Sequence, residues 1–187
     1  AWFQPYADME AKATYISTFQ AQLIYGLLQT EEYARGVLAV NHHDKIDEVT
    51  AARMERQRIF QGANPPALWV VLSEAALLQE VGGHQVMRRQ LAHLLEFRDH
   101  PWVQIQILPF TVGQHTGMIG SFTLLRSEDD PDLFYVESYD QGHMTASPQV
   151  IKERTVGYSR LQATALSPED SAALIARVME ERYGNQP

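Results

Sequence analysis

ALWVVLSEAALLQEVGG, Ala67–Gly83, decides the fold class. Leu68–Leu72 is a continuous apolar run of strand length, without the alternation of a half-wetted strand, so it predicts a strand buried on both faces. Ser73 then stands as a cap for a helix carrying Ala76 and Leu77, and Gly82–Gly83 stop it. Downstream, QVMRRQLAHLLEFRDH places Val86, Met87, Leu91, Leu94, Leu95 and Phe97 on one stripe, the signature of an amphipathic helix. WVQIQILPF then alternates, with Val103, Ile105 and Ile107 on one side, Gln104, Gln106 and Leu108 on the other, and Pro109 closing it. SFTLLRS and LFYVESY read as two further strands joined by the acidic turn EDDPD. Three strands in succession predict an antiparallel meander, to which the Leu68 strand adds a fourth.

Upstream, DMEAKA runs into ATYISTF, a short helix leading into an irregular strand over Ala13–Phe19. Thr30 with Glu31 and Glu32 opens a helix from about Glu31 to Val40. The stretch Asn41–Gly62 follows as a helix with Ile46, Val49, Arg53, Arg56 and Phe60 on one face. At the C-terminal end, QVIKERTVGYSRLQATAL is helical, and Ser167, Pro168 and Glu169 cap a last helix. The prediction is therefore an α+β fold, a small, mainly antiparallel sheet of about four strands surrounded by helices, as one domain over residues 1–187.

The 187 residues are 45% hydrophobic and 20% charged, which excludes a low-complexity or disordered chain. A net charge of −8 would repel a phosphate backbone, so the domain is not expected to grip nucleic acid by itself. No apolar run reaches the ~20 residues of a membrane span and no leader is seen, so no membrane contact and a cytoplasmic location are expected. The chain contains no cysteine, which excludes disulfides, thiolate nucleophiles and zinc–cysteine sites. The start at Ala1, within AWFQPYADMEAKA, raises the expectation of sequence upstream.

Seven histidines show no metal-ligand spacing, so no metal is expected, and neither a Walker loop nor a dinucleotide fingerprint points to a cofactor. Ser73, Ser121, His115 and Glu137 supply the residue types of a hydrolase but no nucleophile elbow. Charge within the apolar framework is more informative. Arg53 and Arg56 fall on the inner stripe of their helix, Glu74 ends the buried strand, and Glu137 lies inside FYVES. Buried charges need partners, so these four form either a structural salt-bridge cluster or the floor of a polar pocket. LPFTVGQHTGMIGSF, Leu108–Phe122, is a glycine-rich connection in which Gly113, Gly117 and Gly120 serve backbone geometry and His115 is the candidate for ligand contact.

GLLQTEEYAR, RMERQ, LSEAALLQEVGG, QLAHLL, VQIQILPF with GQHTGMIGSFTLL, YVES and ALSPEDS together resemble the C-terminal domain of actinobacterial Xre-family, WhiJ-like, antitoxin-like regulators. Tyr25 stands where that family usually has proline. The resemblance implies a sensing domain that follows a helix-turn-helix, touches DNA only through that N-terminal domain, and binds a small-molecule ligand or a small partner protein. A homodimer is expected if the absent half reads a palindromic site. The ligand-binding candidates are Arg53, Arg56, Gln57, Glu74, His115, Ser121, Tyr135 and Glu137. The alternative is an enzyme with His115 as acid/base and Glu74 or Glu137 as its partner. A purely structural interaction module would instead show a wide apolar surface.

Overall fold

A computed structural model of the chain describes residues 4–138 and 141–184. The element order begins with α1 (Gln4–Lys12), β1 (Tyr15–Gln20), α2 (Glu31–Ala39), α3 (Ile46–Arg56), β2 (Ala67–Ser73) and α4 (Ala75–Leu78). It continues with α5 (His84–Glu96), β3 (Val103–Leu108), β4 (Phe122–Arg126), β5 (Leu133–Glu137), β6 (Gly142–Thr145), α6 (Pro148–Thr164) and α7 (Pro168–Tyr183). Sequence cues mark several boundaries: the Thr30 hydroxyl accepts from the Tyr33 amide at 3.3 Å, and Ser167 accepts from the Asp170 amide at 3.0 Å. Tyr139, the last residue of the predicted LFYVESY strand, lies outside the described residues.

The strands form one six-stranded mixed sheet in the order β3-β2-β1-β4-β5-β6. β1 pairs parallel with β2, and β2 parallel with β3, while the β1–β4, β4–β5 and β5–β6 pairs are antiparallel. The α+β class stands, but the expected four-stranded, mainly antiparallel meander is corrected. β3 does not pair with β4; β2 and β1 stand between them. The irregular strand at Ala13–Phe19 is in fact central, although Ser17 and Thr18 make it look like a wet segment. β6, only GHMT and half-exposed, carries too little pattern to be read as a strand.

Two layers of helix cover the sheet. On one face, Phe19, Val71, Phe122 and Phe134 pack against Tyr158 and Leu161 of α6. On the other, the Leu68, Val70 and Leu72 side of β2 and the Val103, Ile105 and Ile107 side of β3 meet Met87, Leu91 and Leu94 of α5 and Leu174, Ile175 and Val178 of α7. Each fully buried aliphatic side chain there stabilises the fold by roughly 1.5–3 kcal/mol.

Because β1, β2 and β3 are parallel, their carboxyl ends lie at one edge of the sheet, and the segment Pro109–Ser121 crosses that edge from β3 to β4. Glu74 holds its start: the Phe110 amide donates to Glu74 Oε2 at 2.8 Å. A Cβ on Gly117 would lie 2.4 Å from the Phe19 ring, and Gly113 and Gly120 adopt φ values of 72° and 125°. The glycines of this loop therefore do serve backbone geometry.

Candidate functional site

The same sheet face changes character over β1, β4 and β5. Thr18, Thr123 and Tyr135 stand side by side in register, and the Thr18 and Thr123 hydroxyls lie 2.9 Å apart. Gln20 adds an amide that donates to Thr18 Oγ1 at 2.8 Å. Aliphatic helix faces cannot satisfy such a floor, because a buried polar group without a partner costs free energy. It is covered by α1, the turn that precedes α2, and α3.

α3 offers its polar side. Arg53, Arg56 and Gln57 are three and four positions apart, so they project together; within α3 itself only Thr50 is fully buried. Facing them, α1 contributes Tyr6 and Glu10, again four apart. Glu10 is 1% exposed and accepts from Arg56 Nε and Nη2, each at 2.9 Å, a two-pronged charged pair. The Tyr6 and Tyr25 hydroxyls donate to the same carboxylate at 2.9 and 2.7 Å. Burial by itself pulls the Arg56 guanidinium toward lower pKa, but the charge and hydrogen bonds of Glu10, together with Tyr25 and Tyr6, outweigh it and the net shift is upward. Burial, and then the Glu10 charge, push both tyrosines well above their ordinary value. Tyr6 also stacks on Tyr135, with ring centroids 4.0 Å apart.

Tyr25 opens the turn before α2 with a φ of −58°. Proline would adopt the same angle, and the phenol here adds a donor to Glu10.

Arg53 is differently placed. Its Nη1 donates to Gln29 Oε1 at 2.9 Å, and Gln29 in turn donates to the Ile24 carbonyl at 2.8 Å. Gln57 fastens the same turn, donating to the Gly26 and Gln29 carbonyls at 3.2 and 2.7 Å. Gly26 makes room for the arginine, since a Cβ there would stand 3.3 Å from Arg53 Cδ. Burial, and then the like charge of Arg56, lower the Arg53 pKa.

These elements enclose a cavity of about 300 Å³, lined on its polar side by Gln20, Arg53, Arg56, Ser121, Tyr135 and Glu137. Leu23, Ile24, Val37 and Leu38 supply an apolar wall. A second groove, of about 580 Å³ between α1 and α3, shares Arg53, Arg56, His42 and Glu137 with the first. Tyr135 is 6% exposed, and its hydroxyl is buried with no hydrogen-bond partner among the described residues. Burial, and then the charge of Glu137, raise its pKa.

Of the eight sequence candidates, the structure brings Arg53, Arg56, Ser121, Tyr135 and Glu137 to one cavity and sets Gln57 behind it. The four-charge cluster of Arg53, Arg56, Glu74 and Glu137 is not formed. Glu137 is exposed at the rim, Glu74 anchors the loop at Phe110, and Arg56 pairs with Glu10 instead. Ser121 also has a backbone task, accepting from the Ala21 amide at 2.9 Å. His115 lines neither cavity; its Nδ1 lies 3.1 Å from the Gly117 amide and its ring meets Phe19 edge-on at 5.6 Å. Among the described residues no carboxylate lies within ion-pair distance of His115, so the acid/base pairs with Glu74 or Glu137 are not assembled.

Sequence reasoning missed Glu10, Tyr6, Tyr25 and Gln29. Glu10 was findable: in QPYADMEAK it shares a helix stripe with Tyr6 and Ala13, the same anomaly that singled out Arg53 and Arg56. Among the described residues no group of three or more His, Asp or Glu side chains is placed to hold a metal ion, and no helix is long and apolar enough to cross a membrane.

A comparison with curated proteins returns no match. A family model described as a domain of unknown function (DUF5753) matches residues 3–177, nearly the whole chain and every element that builds the cavity. The chain belongs to the DUF5753 family.

Proposed function

We propose that this domain is the sensing half of a helix-turn-helix transcription regulator, binding a small ligand in the cavity between α1, α3 and the carboxyl end of β1. One observation carries the reading: a polar floor and a pocket interrupt a sheet face that is otherwise packed with aliphatic side chains. The pocket also lies where the strand order reverses. β2 and β3 are added on one side of β1 and the antiparallel β4 on the other, so the pocket stands where the carboxyl end of β1 meets the amino end of β4. Its volume sits at the lower end of the ~300–1,000 Å³ range of small-molecule sites.

α1 gives the ligand a lever. Tyr6 and Glu10 belong to α1 and form part of the cavity and groove walls, so a ligand that repositions them moves the helix. The resemblance to Xre-family regulators puts the DNA-binding domain on that N-terminal side. Signalling then requires only that the ligand bind two positions of α1 with different affinity.

The experiment is a thermal-shift screen of the domain against fractionated cell extract. A ligand present at a hundred times its dissociation constant adds about 2.7 kcal/mol to folding stability. A low-molecular-mass fraction that raises the melting temperature supports the reading. No shift with any such fraction, together with capture of a small protein by the domain, replaces it with a partner-binding module.

A further inference from the structure

We propose that the ligand of this cavity is a small monocarboxylate with an apolar body, and that Arg53 is its counter-ion; this rests on the sensing reading above. Two arginines from α3 reach the cavity, but among the described residues only Arg56 is held there in a direct ion pair. Arg56 is neutralised by the two-pronged bond to Glu10. Among the described residues Arg53 has no carboxylate within ion-pair distance, and its hydrogen bond goes to the neutral amide of Gln29. A guanidinium carries five N–H groups in a planar fork that matches a carboxylate in two-pronged geometry. Partly buried cations are costly unless paired, so an anion entering here meets a group already desolvated.

Charge fixes the class of anion. The Glu10–Arg56 pair sums to zero, and the exposed Glu137 at the rim, whose charge acts on Arg53 without forming an ion pair with it, offsets Arg53 only through solvent and opposes a second negative charge on the ligand. A monoanion meets the desolvated Arg53 against a single solvent-screened rim carboxylate, whereas a phosphate dianion brings a second charge that no group of the cavity answers. The walls fix the rest of the molecule. Leu23, Ile24, Val37 and Leu38 face the cavity, so a hydrocarbon chain or ring removed from water would cover them. The buried hydroxyl of Tyr135, unpartnered among the described residues, leaves one further donor in the wall.

The test is a binding titration of the protein with a series of monocarboxylates, from acetate through octanoate together with benzoate, each beside its uncharged amide, and with inorganic phosphate. The expected result is a carboxylate held about tenfold or more tightly than its amide, the margin of a charge-assisted hydrogen-bonded pair. Affinity should rise along the series with chain length. Arg53→Met should erase the carboxylate–amide difference, and Glu137→Gln, a change at an exposed rim position, should tighten carboxylate binding without disturbing the fold. Equal affinity for acid and amide across the series, a difference that survives Arg53→Met, weaker binding in Glu137→Gln, or phosphate binding above every carboxylate overturns the proposal. Extract fractions that still shift the melting temperature of Arg53→Met would leave a sensing domain with another ligand class; no shift with any fraction or carboxylate removes both readings.

Discussion

Two halves of one sheet face sit under the same layer of helices and are built on opposite principles. Over β2 and β3 the face is Leu, Val and Ile against α5 and α7, and it closes down to a void of about 20 Å³. Over β1, β4 and β5 it is Thr18, Thr123, Gln20 and Tyr135 beneath a buried ion pair, and it stays partly open. The difference teaches where to look for function in a chain without a catalytic motif. A dry half is held by area and tolerates any side chains of suitable volume, whereas a polar half is held by specific partners and makes sense only if every member is satisfied. Arg53 is the arginine of that half with no direct ion pair among the described residues.

The largest effect should come from cutting the polar half at its centre. Glu10→Ala takes from the buried Arg56 its two-pronged carboxylate partner, and removing one partner of such a pair costs about 3–5 kcal/mol. Urea unfolding should show the midpoint falling accordingly. A loss below about 1 kcal/mol would mean that this half is not held by its ion pair, and the contrast between the halves would collapse.

The matching cut in the dry half is Ile107→Ala, at a side chain with no exposure. It should cost about 2–5 kcal/mol through lost burial and the cavity left behind, and Ile107→Val only about 0.5–1.5 kcal/mol. That graded response is the signature of packing. A step-like loss with Ile107→Val would instead indicate that shape, not area, governs this half.

Alkaline pH probes both regions at once. The folded protein holds the Tyr6, Tyr25 and Tyr158 phenols in their neutral form, with pKa values raised well above 10.0, by burial first. Tyr33, again by burial first, is raised to about 12. A group whose folded pKa is raised contributes stability that is complete below its unfolded value and is lost as pH rises through the window above it. The melting temperature should therefore be insensitive to these groups below about pH 9 and fall steeply above about pH 10, with tyrosinate absorbance rising together with unfolding. Titration of these phenols near pH 10 in a protein that remains folded would contradict their burial.

The smallest effect is expected at His115. It touches neither cavity, so His115→Ala should change stability by no more than about 1 kcal/mol and leave carboxylate binding unaltered. A loss of binding without unfolding would return the loop to the site and revive the acid/base alternative.

Local pattern carried much of this architecture. The buried run at Leu68–Leu72, the stripe of α5, the caps at Thr30 and Ser167 and the glycines of the 109–121 loop were all legible, because each depends on neighbours within a few residues. The candidate site was half legible: a charge on an apolar stripe is a visible anomaly, and it singled out Arg53 and Arg56, which the structure brings to the cavity. Glu74 instead anchors the loop at Phe110, and Glu137 shares the arginines' cavity and acts on Arg53 through its charge without an ion pair.

The sequence by itself determined the α+β class, most of the helices and the two arginines that had to be answered for. Only the tertiary structure decided that β1 is central, that Glu10 meets Arg56 across 46 positions of chain, and that Arg53 is left to face a cavity. The reason is physical. Periodicity records which way a side chain points from its own backbone, whereas the choice of partner depends on which distant strand or helix the whole sheet brings alongside, and a charge is neutralised by whatever arrives there.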